Sequence, residues 1–130
     1  MKNLLKLVLL VALFISSSSD AFSQTITNNT DCDFRVKVHY SYPAACDNQD
    51  DLNWNVPANA VGFAIPGPAG SRATGAKGRP VFFSTSSNNC GFAITLCGGP
   101  DDDTVACSAP CLTGPSYTAT IDSNGNITIF

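Results

Sequence analysis

Six cysteines, Cys32, Cys46, Cys90, Cys97, Cys107 and Cys111, constrain this chain of 130 residues more than any other feature. An even number in a short chain reads as three disulfides when the chain is exported. The rival reading, a zinc site, lacks support because no C-x-x-C pair exists and His39 is the only histidine. Cys32 and Cys46 bracket the clearest strand. Phe34, Val36, Val38, Tyr40 and Tyr42 alternate with Arg35, Lys37, His39 and Ser41, a period of two that sends one set to a core and the other to water. Bonded cysteines need Cα atoms within about 7 Å. Cys90 and Cys97 flank an extended segment and stand about 23 Å apart at about 3.3 Å per residue. After Tyr42 the chain has room to return at most about 14 Å toward Cys32. Pairings Cys32–Cys46 and Cys90–Cys97 are therefore excluded. Cys107 and Cys111, around Ser108-Ala109-Pro110, have the spacing of a tight disulfide loop.

The amino terminus supplies the exported context. Lys2 and Lys6 precede an uncharged apolar run from Leu7 to Ile15, too short for a membrane span of about 20 residues. Ser16–Ser19 ends the run, and Ala21-Phe22-Ser23 places small residues where a signal peptidase reads them. Residues 1–23 are expected to be a secretory signal peptide cleaved near Ser23, leaving 24–130 as a single domain without a membrane span, secreted or extracytoplasmic. That domain carries five basic residues against nine Asp, a net charge of −4, which favours solubility and argues against nucleic acid as a partner. Glutamate, a good helix former, is absent.

The predicted elements are short strands separated by turns. Thr25-Ile26-Thr27 is a first strand and Asn28–Asp31 a turn. Asp47–Asp51 belongs to a polar loop, after which Leu52, Trp54 and Val56 alternate with Asn53 and Asn55, and 60–65 resumes the alternation. Segments 52–56 and 60–65 are expected to form a hairpin across Pro57-Ala58-Asn59. Residues 66–80, with four Gly, three Pro and no hydrophobic pattern, read as a long loop. Strands follow at Val81–Ser84, at Phe92–Cys97 and, after an acidic turn at Gly98–Asp103, at Thr104–Cys107. The closing hairpin has a derivable register. A two-residue turn at Asn124-Gly125 would oppose Ile121 to Thr128, mixing apolar and polar residues on both faces. A three-residue loop, Ser123-Asn124-Gly125, pairs Ile121 with Ile127, Ala119 with Ile129 and Thr120 with Thr128, with Gly125 left-handed. The expected fold is all-β, a small disulfide-stapled β-sandwich of about eight short antiparallel strands, with a small β-barrel as the alternative.

The segment Thr25-Ile26-Thr27-Asn28-Asn29-Thr30-Asp31-Cys32 resembles the first strand of thaumatin-like proteins. Those proteins are longer and richer in cysteine, so the resemblance covers this strand alone and carries no function with it.

Catalytic inventory is poor. His39 shares its face with Arg35 and Lys37 and has no G-x-S-x-G elbow to serve, so it reads as a solvated strand position. No cofactor is expected; Asp101, Asp102 and Asp103 read as a solvated acidic turn, with ligation of a structural calcium as the alternative. Trp54 between Asn53 and Asn55 has the composition of a sugar-stacking platform, although its phase with Leu52 and Val56 places it on the core face. Arg72, Lys77 and Arg79 concentrate positive charge on an acidic protein and are candidate contacts for an anionic partner. The leading reading is a secreted, non-catalytic module that binds an extracellular ligand or surface component. A small secreted protease inhibitor presenting the 66–80 loop is the first alternative, and a hydrolase acting on extracellular glycans through paired Asp residues is the second.

Overall fold

The computed structural model describes residues 23–42, 46, 47, 50–82 and 90–130. The strand elements among them are β1 (Thr25–Asn28), β2 (Phe34–Ser41), β3 (Asp50–Val56), β4 (Phe63–Ala64), β5 (Arg72–Pro80), β6 (Phe92–Thr95), β7 (Asp102–Ala106), β8 (Ser116–Ile121) and β9 (Ile127–Ile129). They form two sheets, of order β4-β1-β9-β8-β7 and β3-β2-β5-β6. The β-sandwich is the observed architecture. No described helix is long and apolar enough to cross a membrane.

Alternation decides the packing. Phe34, Val36, Val38 and Tyr40 of β2 are buried, as are Ile26 of β1, Tyr117, Ala119 and Ile121 of β8, and Ile127 and Ile129 of β9. Phe34 meets the Tyr117 ring edge-on at 5.2 Å, and Phe92 lies 6.3 Å from each of them, so one aromatic cluster joins the two sheets. Buried phenols need acceptors, and they have them: Tyr40 Oη donates to the Ile65 carbonyl at 2.8 Å and Tyr117 Oη to the Cys90 carbonyl at 2.5 Å. Burial pushes the Tyr40 hydroxyl up to about 12 and raises Tyr117 further. The final hairpin has the expected register, Ile121 opposite Ile127, Thr120 opposite Thr128 and Ala119 opposite Ile129, with Gly125 at φ +83°. Asp122 sets that turn by accepting from the Asn124 and Asn126 backbone amides, both at 2.9 Å. Slight burial works to raise its pKa, but the donors from Asn126, Asn124 and Gly125 outweigh it, and the net direction is down.

The disulfides are Cys32–Cys111, Cys46–Cys97 and Cys90–Cys107, and neither excluded pairing occurs. The tight Cys107–Cys111 loop does not form. Leu112 N–H bonds to the Ala109 carbonyl there instead, which turns the chain without a covalent link and frees both sulfurs for partners next to β6 and β2.

Several local expectations are corrected. Segments 52–56 and 60–65 are not a hairpin: β3 pairs with β2, whereas β4 pairs with β1 in the other sheet. The cause is Asn28, whose side-chain amide donates to the Pro57 carbonyl at 2.9 Å and whose backbone N–H bonds to Ala60 at 2.8 Å, drawing the turn across the sandwich. The β1–β9 pair is parallel, the exception to the antiparallel expectation. Residues 81 and 82 are not strand, and 83 and 84 lie outside the described residues, as does the expected signal sequence through 22. Strand β7 begins at Asp102, within the expected acidic turn, β6 stops at Thr95, and Asp50 and Asp51 belong to β3 rather than to a loop.

The largest correction concerns residues 66–80. Only 66–71 is loop; Arg72–Pro80 is a central strand, hydrogen-bonded to β2 on one side and β6 on the other. Its glycine and alanine content reflects neighbours that fill the space. A Cβ on Gly78 would lie 2.6 Å from the Phe92 ring, and one on Gly75 would lie 2.9 Å from the Ile94 carbonyl oxygen. Rings from β2 and β6 supply the apolar volume that β5 lacks. A register shift opposite His39 and Tyr40 accommodates Thr74, whose hydroxyl accepts from Ser41 Oγ at 2.8 Å. Trypsin is accordingly expected to leave the Lys77–Gly78 bond intact in the native protein. Rapid cleavage there, monitored by mass spectrometry, would mean that β5 is not held between two neighbours.

Candidate functional site: the outer face of the four-stranded sheet

Strand pairing brings dispersed charges together. On β2, inward Val36 and Val38 leave Arg35, Lys37 and His39 facing out. On β5, buried Ala76 and Pro80 leave Lys77 and Arg79 facing out. The register then sets Arg35 opposite Arg79 and Lys37 opposite Lys77. On the other side of β2, β3 sets Asn55 opposite Arg35 and Asn53 opposite Lys37. Two parallel rows result, Asn55-Arg35-Arg79 and Asn53-Lys37-Lys77, separated by two residues, or about 6.7 Å, along the strands. Gly91 lies beside these rows, so the side chains of Arg35, Lys37, Lys77 and Arg79 border a shallow trough of about 380 Å³.

Four of the five basic residues among the described residues thus share one face of a protein whose net charge is negative. Like charges directly opposite across strands are destabilising, so this arrangement has no folding rationale. Asp51 offsets part of it, contacting Lys37 Nζ at 2.7 Å and His39 Nδ1 at 2.5 Å. The reading of β2 alone missed Asp51, because it comes from the strand paired with His39. Arg35, Lys77 and Arg79 are left to project over the trough.

The other candidate residues fall elsewhere. Arg72 lies at the far end of β5 and its guanidinium donates to the Ser123 carbonyl at 3.0 Å, tying β5 to the β8–β9 turn. Trp54 faces inward, opposite Val36, with its ring edge-on to Phe63 at 6.4 Å, so Asn53 and Asn55 do not share its face. Its indole N–H is buried near the Tyr40 hydroxyl without reaching hydrogen-bond geometry. Asp102 and Asp103 are on β7 rather than in a turn, and Asp103 Oδ2 accepts the Ala93 N–H at 2.9 Å, stitching β7 to the edge of β6. Among the described residues, no three His, Cys, Asp or Glu side chains are grouped to hold a metal ion. Lys77 and Arg79 lie within a sheet, so the inhibitor reading loses the long exposed loop on which it rested.

Sequence reasoning identified Lys77 and Arg79 but not Arg35 and Lys37 as their companions. The signal was present: Lys77 and Arg79 alternate with Ala76, Gly78 and Pro80, the same period of two that exposes Arg35 and Lys37. Compared with known proteins, the chain matches no family model, no curated protein and no solved structure.

Proposed function

We propose that this protein is an exported, non-catalytic binding module whose four-stranded sheet takes an acidic polysaccharide across its outer face. The observation that carries this reading is the pair of like-charge oppositions, Arg35 with Arg79 and Lys37 with Lys77, set side by side on an acidic protein. Such a lattice of cations costs folding energy and gains it back when anions bridge it. Repeated carboxylates or sulfates suit two rows about 6.7 Å apart. Asn53 and Asn55 add amide donors and acceptors for sugar hydroxyls along one margin. Single-stranded nucleic acid is disfavoured, since its binding relies on exposed aromatic platforms and the outward residues of β2, β3 and β5 include none. The three disulfides are compatible with an extracellular setting.

The test is a triple substitution, Arg35→Ser, Lys77→Ser and Arg79→Ser, which leaves Lys37 to hold Asp51. Binding to dextran sulfate and to carboxymethyl-dextran at low salt is expected to weaken about 100-fold, close to 1 kcal/mol for each charge removed. Wild-type binding is expected to fade as salt rises, and neutral dextran is expected not to bind. Stability is expected to rise slightly, by up to about 1 kcal/mol, because both like-charge oppositions are relieved and exposed charges otherwise contribute little. Equal affinity of the wild type and the triple variant for both anionic polymers would remove this face from consideration.

A further inference from the structure

Two amides, Gln24 just before β1 and Asn28 at its end, face inward with very different outcomes. Period two puts Gln24 on the same side as Ile26 and Asn28. Asn28 uses its amide fully, donating to the Cys32 and Pro57 carbonyls and accepting from the Thr30 amide and hydroxyl. Gln24 is equally buried, at 1% exposure, yet neither its Nε2 nor its Oε1 has a partner. Its Cγ packs toward Gly125, at a point where the hairpin turn also approaches Ala73. A primary amide desolvated without partners is costly, and such a group in a native fold calls for an explanation. Ser23, immediately before it, is exposed and completes the small-residue cleavage pattern Ala21-Phe22-Ser23. Cleavage there makes Gln24 the amino-terminal residue and adds an α-ammonium at the same position, a second polar group to desolvate.

We propose that Gln24 is a modification site: once freed at its amino terminus, it closes to pyroglutamate. The deprotonated α-amine attacks Cδ of its own side chain, the N–Cδ bond forms, and the Cδ–Nε2 bond breaks. Nε2 leaves as ammonia, taking the proton that the attacking nitrogen loses. No oxidant, reductant or co-reactant is involved. The ring spans N, Cα, Cβ, Cγ and Cδ, so the main-chain carbonyl stays outside it and keeps the Ile65 N–H bond of 3.0 Å. The neighbouring bond from Thr25 N–H to Asn126 Oδ1, 3.2 Å, is also left in place. Cyclisation removes the ammonium charge and both Nε2 donors, leaving a neutral lactam with one N–H and one carbonyl. That is a far better occupant for a buried position beside Gly125. It also leaves the mature protein without an amino-terminal amine for aminopeptidases to grip.

The experiment is intact-mass and amino-terminal peptide analysis of the full chain exported from a secreting host. The expected product begins at residue 24, is blocked to stepwise amino-terminal sequencing, and weighs less than the disulfide-bonded Gln24–Phe130 chain by one ammonia. Unfolding, reduction and treatment with a pyroglutamyl peptidase are expected to expose Thr25. Gln24→Asn cannot close the five-membered ring and is expected to keep its ammonia and to read as Asn. A free Gln24 in the folded exported protein, or a different first residue, overturns the proposal. So does ammonia loss that persists in Gln24→Asn, because it would place the reaction elsewhere, with Asn124-Gly125 the obvious source.

Discussion

Replacing Cys32 and Cys111 together by alanine is expected to lower the unfolding free energy by about 4 kcal/mol or more. The bond spans 79 residues of sequence, the longest separation of the three. In the chain-entropy description, with the other two bonds intact the cross-link closes a loop of about 25 residues through Cys46–Cys97 and Cys90–Cys107 and withholds about 3.5 kcal/mol of conformational freedom from the unfolded chain, against about 3 kcal/mol for the 17-residue span of Cys90–Cys107. Cys32 is also buried, so its truncation leaves a small void beneath β2. The bond ties the segment entering β2, in one sheet, to the loop between β7 and β8, in the other. A domain of this size has only about 5–15 kcal/mol in total, so the variant is expected to lose cooperative unfolding at 37 °C or come close to it. Urea unfolding of Cys32→Ala/Cys111→Ala beside Cys90→Ala/Cys107→Ala measures both. A smaller loss for the long span than for the short one would refute the entropic ordering.

Gly125→Ala is expected to cost about 3 kcal/mol, and the reason separates into two parts. Gly125 has φ +83°, where a side chain costs about 1 kcal/mol. Its Cβ would also stand 2.6 Å from the Ala73 carbonyl oxygen, a backbone atom of β5 in the opposite sheet, and overpacking of that kind costs typically about 1–3 kcal/mol. Gly62 provides the control. It has φ +65° with nothing within 4 Å of the point where a methyl group would sit, so Gly62→Ala is expected to show the conformational cost alone, about 1 kcal/mol. Urea midpoints of the two variants give the difference directly. If both variants lose the same stability, the turn does not press on β5.

The β8–β9 register was legible in the sequence because burial punishes a one-residue slip: Ile121, Ile127, Ala119 and Ile129 have to share a face. The exclusion of Cys90–Cys97 was legible because an extended strand has a fixed rise. Strand β5 was not legible. Gly75 and Gly78 carry no hydrophobic signal, since what fills their space is Phe92 and the Ile94 carbonyl from a strand more than ten residues away. The binding face was half legible for the same reason. Lys77 and Arg79 were visible as a basic concentration, but their juxtaposition with Arg35 and Lys37 is a property of pairing between β2 and β5.

What local pattern and composition determine about this protein is therefore its class: all-β, cross-linked, acidic, with strands whose exposed and buried sides follow from a period of two. Which strand lies beside which was decided only in three dimensions. Asn28 drew β4 away from β3, and Cys32–Cys111 joined ends 79 residues apart. Phe92 made a glycine-rich segment the centre of a sheet. The physical reason is common to all three. Side-chain alternation is written in neighbouring residues, whereas space left empty by one segment and filled by another is recorded only where the two meet.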